Sequence, residues 1–269
     1  MYSGNSKYAL VTGGSSGMGL EYVRNLAERG YNVIIVALFQ HETDAVKDEL
    51  AGKYPDRDFI SIGIDLTAPD APGILCDRIR EMRPEAEVEV LVNNAGVLNA
   101  VHFRNMSHDA VSRSIMLHCH TIALLCHYFM QPMMERRRGY VLNISSLGAW
   151  FPYPFLTTYA STKAFVRTFT RALRTECKGS GVKVSTIYFG AVDTPLFRLS
   201  PSKRKLARNL GIMITPRKAA SRALDMMFRG RSGYMPGLVN KIAYLAVPLL
   251  RPSLVALLDR WVTRRWNFK

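Results

Sequence analysis

Cysteine is scarce in this chain: four residues in 269, Cys76, Cys119, Cys126 and Cys177, at irregular spacings. So few, in so long a chain, exclude the disulfide framework of a small secreted domain, and reduced thiols in a cytosol-like compartment are expected. Long apolar runs are missing too. No stretch reaches the ~18 consecutive apolar residues that a spanning helix needs. The opening MYSGNSKYALVTGG has no apolar core and no cleavage site, so no secretory signal is expected. Low-complexity tracts and internal repeats are absent as well, which leaves an ordinary globular composition.

The last quarter lacks acid. Residues 198–269 hold 16 Lys/Arg against 2 Asp/Glu, whereas residues 1–197 hold 20 against 19. The formal net charge of +15 therefore sits almost wholly in the tail. A basic tail on a neutral body reads either as a site for a local anionic partner or as a solvated basic surface. No zinc finger or RNA-binding motif accompanies it, so nucleic acid is not the expected partner.

What is present is an alternation of short apolar runs with longer helical segments. Residues 8–12, 32–38, 59–65, 89–95, 140–145 and 182–189 are continuous, apolar and often β-branched. Those are the features of parallel strands covered on both faces. Between them lie segments such as GLEYVRNLAERG, with helical spacing and a glycine stop. The pattern predicts an α/β fold: a single-domain, doubly wound parallel sheet with helices on both faces. No Pro/Gly/Ser linker divides the chain. Residues 1–269 are read as one domain, with the core over 7–197.

Four motifs bear chemistry. The first strand runs into TGGSSGMGL (12–20), where glycines would let backbone approach a pyrophosphate at a helix N-terminus. NNAG (93–96) makes a further tight turn on the same edge of the sheet. NISS ends the fifth strand with Ser146. YASTK places Tyr159 and Lys163 at i and i+4, on one helix face. An ammonium beside a phenol stabilises phenolate, so Lys163 is expected to lower the Tyr159 pKa from ~10. Such a tyrosine can exchange a proton with an alcohol or ketone, and a nearby hydroxyl can polarise the carbonyl.

In this order and spacing, the four motifs resemble the short-chain dehydrogenase/reductase family over roughly residues 7–197. The resemblance implies a Rossmann-type enzyme with Tyr159 as general acid/base and Ser146 orienting the carbonyl. Lys163 would tune the tyrosine and hold the nicotinamide ribose. Thr12, Gly13, Ser15, Ser16, Gly17, Met18 and Gly19 would cradle the pyrophosphate. Leu38 would end the second strand at the adenosine ribose, and Asp65 with Leu66 would meet the adenine. Asn93, Ala95 and Gly96 would flank the adenosine ribose, and Val192 and Thr194 the carboxamide and phosphates. ERRRGYVLNISSLGAWFPYPFLTTYASTKAFV is similar to the branch holding 3-oxoacyl-CoA reductases and hydroxysteroid dehydrogenases. An oxidoreductase acting on an apolar, lipid-like ketone or alcohol is therefore expected, as a cytoplasmic dimer or tetramer. The alternative is a catalytically silent dinucleotide-binding protein whose tail recruits an acidic partner.

Three departures from the family pattern stand out. Phe189-Gly190 replaces its usual Pro-Gly. Leu38 is neither the acid that would bind the ribose hydroxyls of NAD nor the base that would favour NADP. Loss of the carboxylate removes repulsion against a 2′-phosphate, so NADP(H) is favoured over NAD(H). Third, counting thirteen back from Pro132 lands on Cys119, where many relatives have asparagine; an altered proton path is expected there.

Cys119 lies in LHCHTIALLCH, three histidines and two cysteines in eleven residues. No two of His118, His120 and His127 have the i, i+4 spacing of a helical zinc site, so no metal is expected. Cys119 and Cys126 stand ~10 Å apart along a helix axis, too far for a disulfide. Helical periodicity predicts a buried apolar stripe of Ile115, Cys119, Ile122 and Cys126. Trp150, Phe151, Tyr153 and Phe155 read as an apolar substrate channel or as aromatic packing. Residues 195–269 are expected to supply a substrate lid rich in Arg198, Lys203, Arg204, Lys205 and Arg208, then a basic helical extension. The end of that extension, with Trp261, Trp266 and Phe268 among basic residues, would lie on an anionic membrane surface, cap the pocket or meet a second subunit.

Overall fold

The computed structural model describes residues 6–151, 154–194, 205 and 213–235. Six long strands fall on the six apolar runs: β1 Lys7–Thr12, β2 Asn32–Ala37, β3 Phe59–Gly63, β4 Glu87–Asn93, β5 Gly139–Ser146 and β6 Val182–Phe189. Three two-residue strands follow: β7 Ala191–Val192, β8 Met213–Ile214 and β9 Gly233–Tyr234. The main sheet is parallel, in the order β3-β2-β1-β4-β5-β6-β9, and β7 pairs with β8. Its order reverses between β1 and β4, so their carboxyl ends open a crevice where a ligand of this architecture sits.

Alternation along the strands sorts the core into two layers. Ala9 and Val11 of β1 pack with Val23 and Leu26 of α1 (Gly17–Glu28), Leu50 of α2 (Gln40–Lys53) and Leu224 of α7 (Pro216–Phe228). Tyr8 and Leu10 face the other way. They meet Leu75 of α3 (Ala71–Met82), Leu125 and Met133 of α5 (Thr121–Glu135) and Val166 of α6 (Thr157–Glu176). Because both faces are covered, every position from Ala9 to Thr12 is buried, which is why the strand reads as one apolar run.

The glycine stop of α1 closes as a Schellman motif. Gly30, at φ 92°, donates to Ala27 O and Tyr31 donates to Leu26 O.

The helix leading to α5 departs from the sequence reading. After α4 (His108–Ile115), residues Met116–His120 form a π turn before α5 begins. Five residues in that wider turn rotate what precedes them relative to α5, and the expected stripe is broken. Ile122 and Cys126 are buried, but Ile115 is 46% exposed and Cys119 only partly covered. His118, outside that stripe in sequence, is wholly buried. The four cysteines are free, and no helix among the described residues is long and apolar enough to cross a membrane. The basic extension of residues 236–269 lies outside the described residues.

At the amino edge of the sheet, Asp58 ties three strands. It accepts from Tyr8 Oη at 2.7 Å and from Arg83 Nε and Nη2 at 2.7 and 3.1 Å, and its backbone bonds Asn32 and Val33. Burial alone would raise this carboxyl, but the Arg83 and Tyr8 hydrogen bonds outweigh it and hold the pKa below the usual carboxylate range. A lowered folded pKa stabilises above the unfolded value and stops doing so as pH falls through the folded one. Asp58→Asn should cost about 2 kcal/mol at pH 7, less than a fully buried pair because Arg83 is partly exposed. Urea unfolding should show wild type and variant converging as pH falls below about 4.

Candidate active site

The glycine turn and the NNAG turn are lashed to one another. Thr12 Oγ1 accepts from the backbone N–H of Asn94 and of Ala95, both at 3.0 Å. Asn94 returns the contact, its Nδ2 donating to Thr12 O at 2.9 Å and Gly13 O at 3.4 Å. Gly13 and Gly17 have φ of 67° and 55°, which side chains avoid. A Cβ on Gly19 would fall inside the van der Waals shell of the Gly13 carbonyl. The turn therefore presents bare backbone at the start of α1, as a phosphate cradle requires.

Between these turns and the carboxyl ends of β2 to β6 lies a cavity of about 430 Å³. Its wall contains Gly13, Ser15, Ser16, Gly17, Met18 and Gly19 from the glycine turn, and Leu38, Asp65 and Leu66 from the β2 and β3 ends. Ala95, Gly96, Tyr159, Lys163, Val192 and Thr194 complete the part that the motifs pointed to. Thr12 and Asn93 lie behind the wall. Asn93 Nδ2 donates to Asn143 Oδ1 at 2.8 Å, which in turn meets Thr170, so its work is in the sheet. Ser146 stands beside the cavity rather than in its lining, at the start of a short 3-10 turn (Leu147–Trp150).

Sequence reading did not single out Glu42, Arg113 or Ser145 on this wall. Glu42 Oε2 accepts from Ser15 Oγ at 2.8 Å, bringing a carboxylate to the glycine turn. Arg113 pairs with Asp65 at 3.1 Å. Burial tends to raise the Asp65 carboxyl, yet hydrogen bonds from Thr67 and Arg113 together hold it low. An i, i+3 or i+4 search could not find either pair, since each joins different elements.

Tyr159 and Lys163 face the cavity from one side of α6, which Thr162 and Lys163 enter as buried polar residues. Lys163 Nζ donates to Ile144 O at 2.9 Å and lies 5.7 Å from the centre of the Tyr159 ring. Ser145 Oγ holds the Lys163 carbonyl at 2.9 Å, so β5 fixes the helix at this turn. Burial pulls Lys163 down to about 8, against a smaller opposing effect of Cys119. The expected lowering of Tyr159 is not found: desolvation raises its pKa, and the Ser146 hydroxyl beside it offsets only part of that. The ammonium stands over the ring and is committed to Ile144. Ser146 Oγ also accepts from Gly148 N at 3.1 Å and donates to Phe189 O at 3.4 Å.

Cys119 is pushed up to about 11 by burial, so it stands beside Lys163 as a neutral thiol. His120 Nε2 donates to Pro69 O at 2.9 Å. Among the described residues no three His, Cys, Asp or Glu converge as metal ligands. Trp150 packs edge-on to Tyr188 at 4.3 Å and under Arg167, and Phe151 is buried. Trp150 and Phe151 also line a second hollow with Ala149, Pro154 and Ala160; Tyr153 and residues 195–204 and 206–212 of the expected lid fall outside the described residues.

A family model for the short chain dehydrogenases matches residues 7–205, and the chain belongs to that family of oxidoreductases. The chain is 28% identical over 251 residues to a very-long-chain 3-oxoacyl-CoA reductase of Aspergillus terreus, covering 93% of this chain and 67% of that one. It is 31% identical over 185 residues to the hydroxysteroid dehydrogenase-like protein 1 of Gallus gallus, covering 67% and 54%. The chain thus spans between about half and two thirds of these relatives' length. In fold it is similar to a short-chain dehydrogenase from Sphingobium yanoikuyae in complex with NADPH, at a TM-score of 0.75 and 23% identity over 97% of this chain and 95% of that one.

The cradle gives a direct test. Gly19→Ala should weaken NADPH or NADH binding roughly tenfold or more, since the Gly13 carbonyl must move to admit the methyl group. Titration by quenching of protein fluorescence measures it.

Proposed function

We propose that this chain interconverts a ketone and a secondary alcohol on an apolar, lipid-like substrate, of the 3-oxoacyl thioester or steroid and bile-acid type. The carrying observation is that Tyr159 and Lys163, with Ser146 beside them, wall the same cavity as the glycine cradle. Gly13 to Gly19 fit a pyrophosphate, because the turn is bare backbone at a helix N-terminus. When bound there, a nicotinamide dinucleotide supplies or accepts the hydride.

The chain's own residues handle the proton and the orientation. Ser146 Oγ–H polarises the substrate carbonyl, and Tyr159 Oη–H gives its proton to the oxygen during reduction and takes it back during oxidation. A phenolate left in a desolvated site needs a positive charge close by. Lys163, with its pKa near 8, supplies one around neutral pH and loses it as pH rises through that value. A silent dinucleotide-binding protein would have no chemical use for all three groups. The relatives' names lend the substrate class: one is a 3-oxoacyl-CoA reductase, another resembles hydroxysteroid dehydrogenases.

Tyr159→Phe should lower turnover by roughly 10²–10⁴-fold while cofactor affinity stays within about twofold. An NADPH and NADH oxidation screen against 3-oxoacyl thioesters and ketosteroids reads it. Turnover that survives the change defeats the proton-transfer assignment.

For the cofactor, we favour NADP(H), supported by the lack of a carboxylate at Leu38. Glu42 supports the second reading, NAD(H), because its carboxylate reaches the glycine turn through Ser15. Removing one exposed charge is worth about 1 kcal/mol, so Glu42→Gln should shift the NADPH-to-NADH ratio of kcat/KM roughly fivefold toward NADPH. An unchanged ratio would remove Glu42 from cofactor choice.

We extend the proposal to a cytoplasmic homo-oligomer, a dimer or tetramer, supported by the exposed Tyr128 and Phe165 on α5 and α6. Charge alone supports contact of the basic last quarter with an acidic carrier or an anionic membrane surface.

A further inference from the structure

His118 is the most enclosed histidine of the described residues, with no exposed surface, and neither family motif nor metal explains it. Its two ring nitrogens touch the two halves of the candidate site. Nε2 accepts from the backbone N–H of Val97 at 3.1 Å, directly after the NNAG turn. Nδ1 lies 3.0 Å from Thr162 Oγ1, on α6 between Tyr159 and Lys163. The Thr162 hydroxyl proton is committed to the Tyr159 carbonyl at 2.9 Å, so toward His118 it accepts. This fixes the tautomer. The imidazole is neutral with its proton on Nδ1, and the bonds run one way, from Val97 N–H through His118 and Thr162 to Tyr159.

The ring is also packed from both sides. A Cβ on Gly96 would stand 3.0 Å from Nε2, so the loop lies hard against it. The Tyr159 ring meets it edge-on, with centroids 6.0 Å apart and planes at 80°. The π turn places the imidazole there. On unbroken helical spacing, His118 would flank the buried stripe instead of occupying this gap.

We propose that His118 is a positioning residue that couples the NNAG wall of the dinucleotide cavity to the helix bearing Tyr159 and Lys163. The proposal rests on the reading of that cavity as a dinucleotide site and of Tyr159 as proton donor. One arm, Val97 to Nε2, sets the loop against which the cofactor seats. The other arm, Nδ1 to Thr162, sets the rotation of the first turn of α6, and so the aim of the phenol. The Val97 arm needs a neutral ring, because a second proton on Nε2 would confront the Val97 N–H. The groups around it agree with that state: burial, with the Lys163 ammonium adding to it, pulls His118 well below its ordinary value, Cys119 is a thiol and Tyr159 a phenol.

The two arms can be cut separately. Thr162→Val keeps shape and removes the helix arm. It should lower kcat about tenfold, the order expected for one unmatched buried donor, and leave the NADPH dissociation constant within about twofold. His118→Gln can place its amide oxygen where Nε2 accepts, so NADPH binding should be largely kept while kcat falls to a similar degree. His118→Leu removes both arms and should weaken NADPH binding and kcat together, each by about tenfold. NADPH affinity is measured without substrate by fluorescence quenching, and kcat with the best thioester or ketosteroid of the screen. A residue that merely fills space would tolerate leucine at least as well as glutamine and would show no split between affinity and turnover; that result overturns the proposal. So does a Thr162→Val protein with unchanged kcat. Thr162→Val is mild enough to fold even where His118→Leu is not. Wild-type protein that binds NADPH yet turns nothing over would defeat the functional reading instead, and the affinity difference between glutamine and leucine at 118 would still decide the loop arm.

Discussion

The whole site hangs on the reciprocal bonding of Thr12 and Asn94 across the crevice between β1 and β4. Neither turn could hold its shape alone. The glycine turn has two residues in the left-handed region, and the NNAG turn exposes two adjacent backbone donors. Each turn satisfies the polar groups of the other, at a net gain of about 0.5–1.5 kcal/mol per bond and a larger cost if one is left unmade. The crevice is therefore held on the side of the glycine turn before any ligand arrives. Adjacent parallel strands supply the geometry, since β1 and β4 are hydrogen-bonded neighbours whose ends point the same way.

The opposite side of the cavity is held by different means. Helix α6 carries the titratable pair, and it is fastened from three directions. Ser145 holds the Lys163 carbonyl, Ile144 holds its ammonium, and Thr162 meets His118. Each fastening uses a polar atom buried at the end of β5 or in the π turn. This arrangement explains why polar residues sit in otherwise apolar strands and helices. Ser145, Thr162 and Lys163 are nine-tenths or more buried because each has a partner.

Much of this was legible in the sequence, and the limits have physical causes. The six long strands are readable because burial on both faces leaves a continuous β-branched run, as in NVIIVA of β2. The glycine stop of α1 is readable because only glycine adopts the left-handed turn without strain. The short strands β7, β8 and β9 have two residues each, too few to show any period. The π turn is invisible for a similar reason: a single wide turn changes the phase without changing composition. Ile115 was therefore expected inward, whereas it is exposed. Lys163 was expected to act on the phenol through charge. Spacing put the two on one helix face, but it could not show that burial would dominate both titrations or that Ile144 would claim the ammonium.

The wide turn also bears on how this chain can vary. A π turn holds one residue more than an α turn spanning the same rise, so Met116–His120 is in effect an insertion absorbed without a bulging loop. Losing any one residue there would let the helix close up on the commoner spacing. Everything before it, including Arg113 and its partner contact with Asp65, would then turn by about 100° against α5. The helix itself would gain regularity while both ends of the cavity lost their alignment. Outside His118, this segment is thus constrained in its length more than in its side chains.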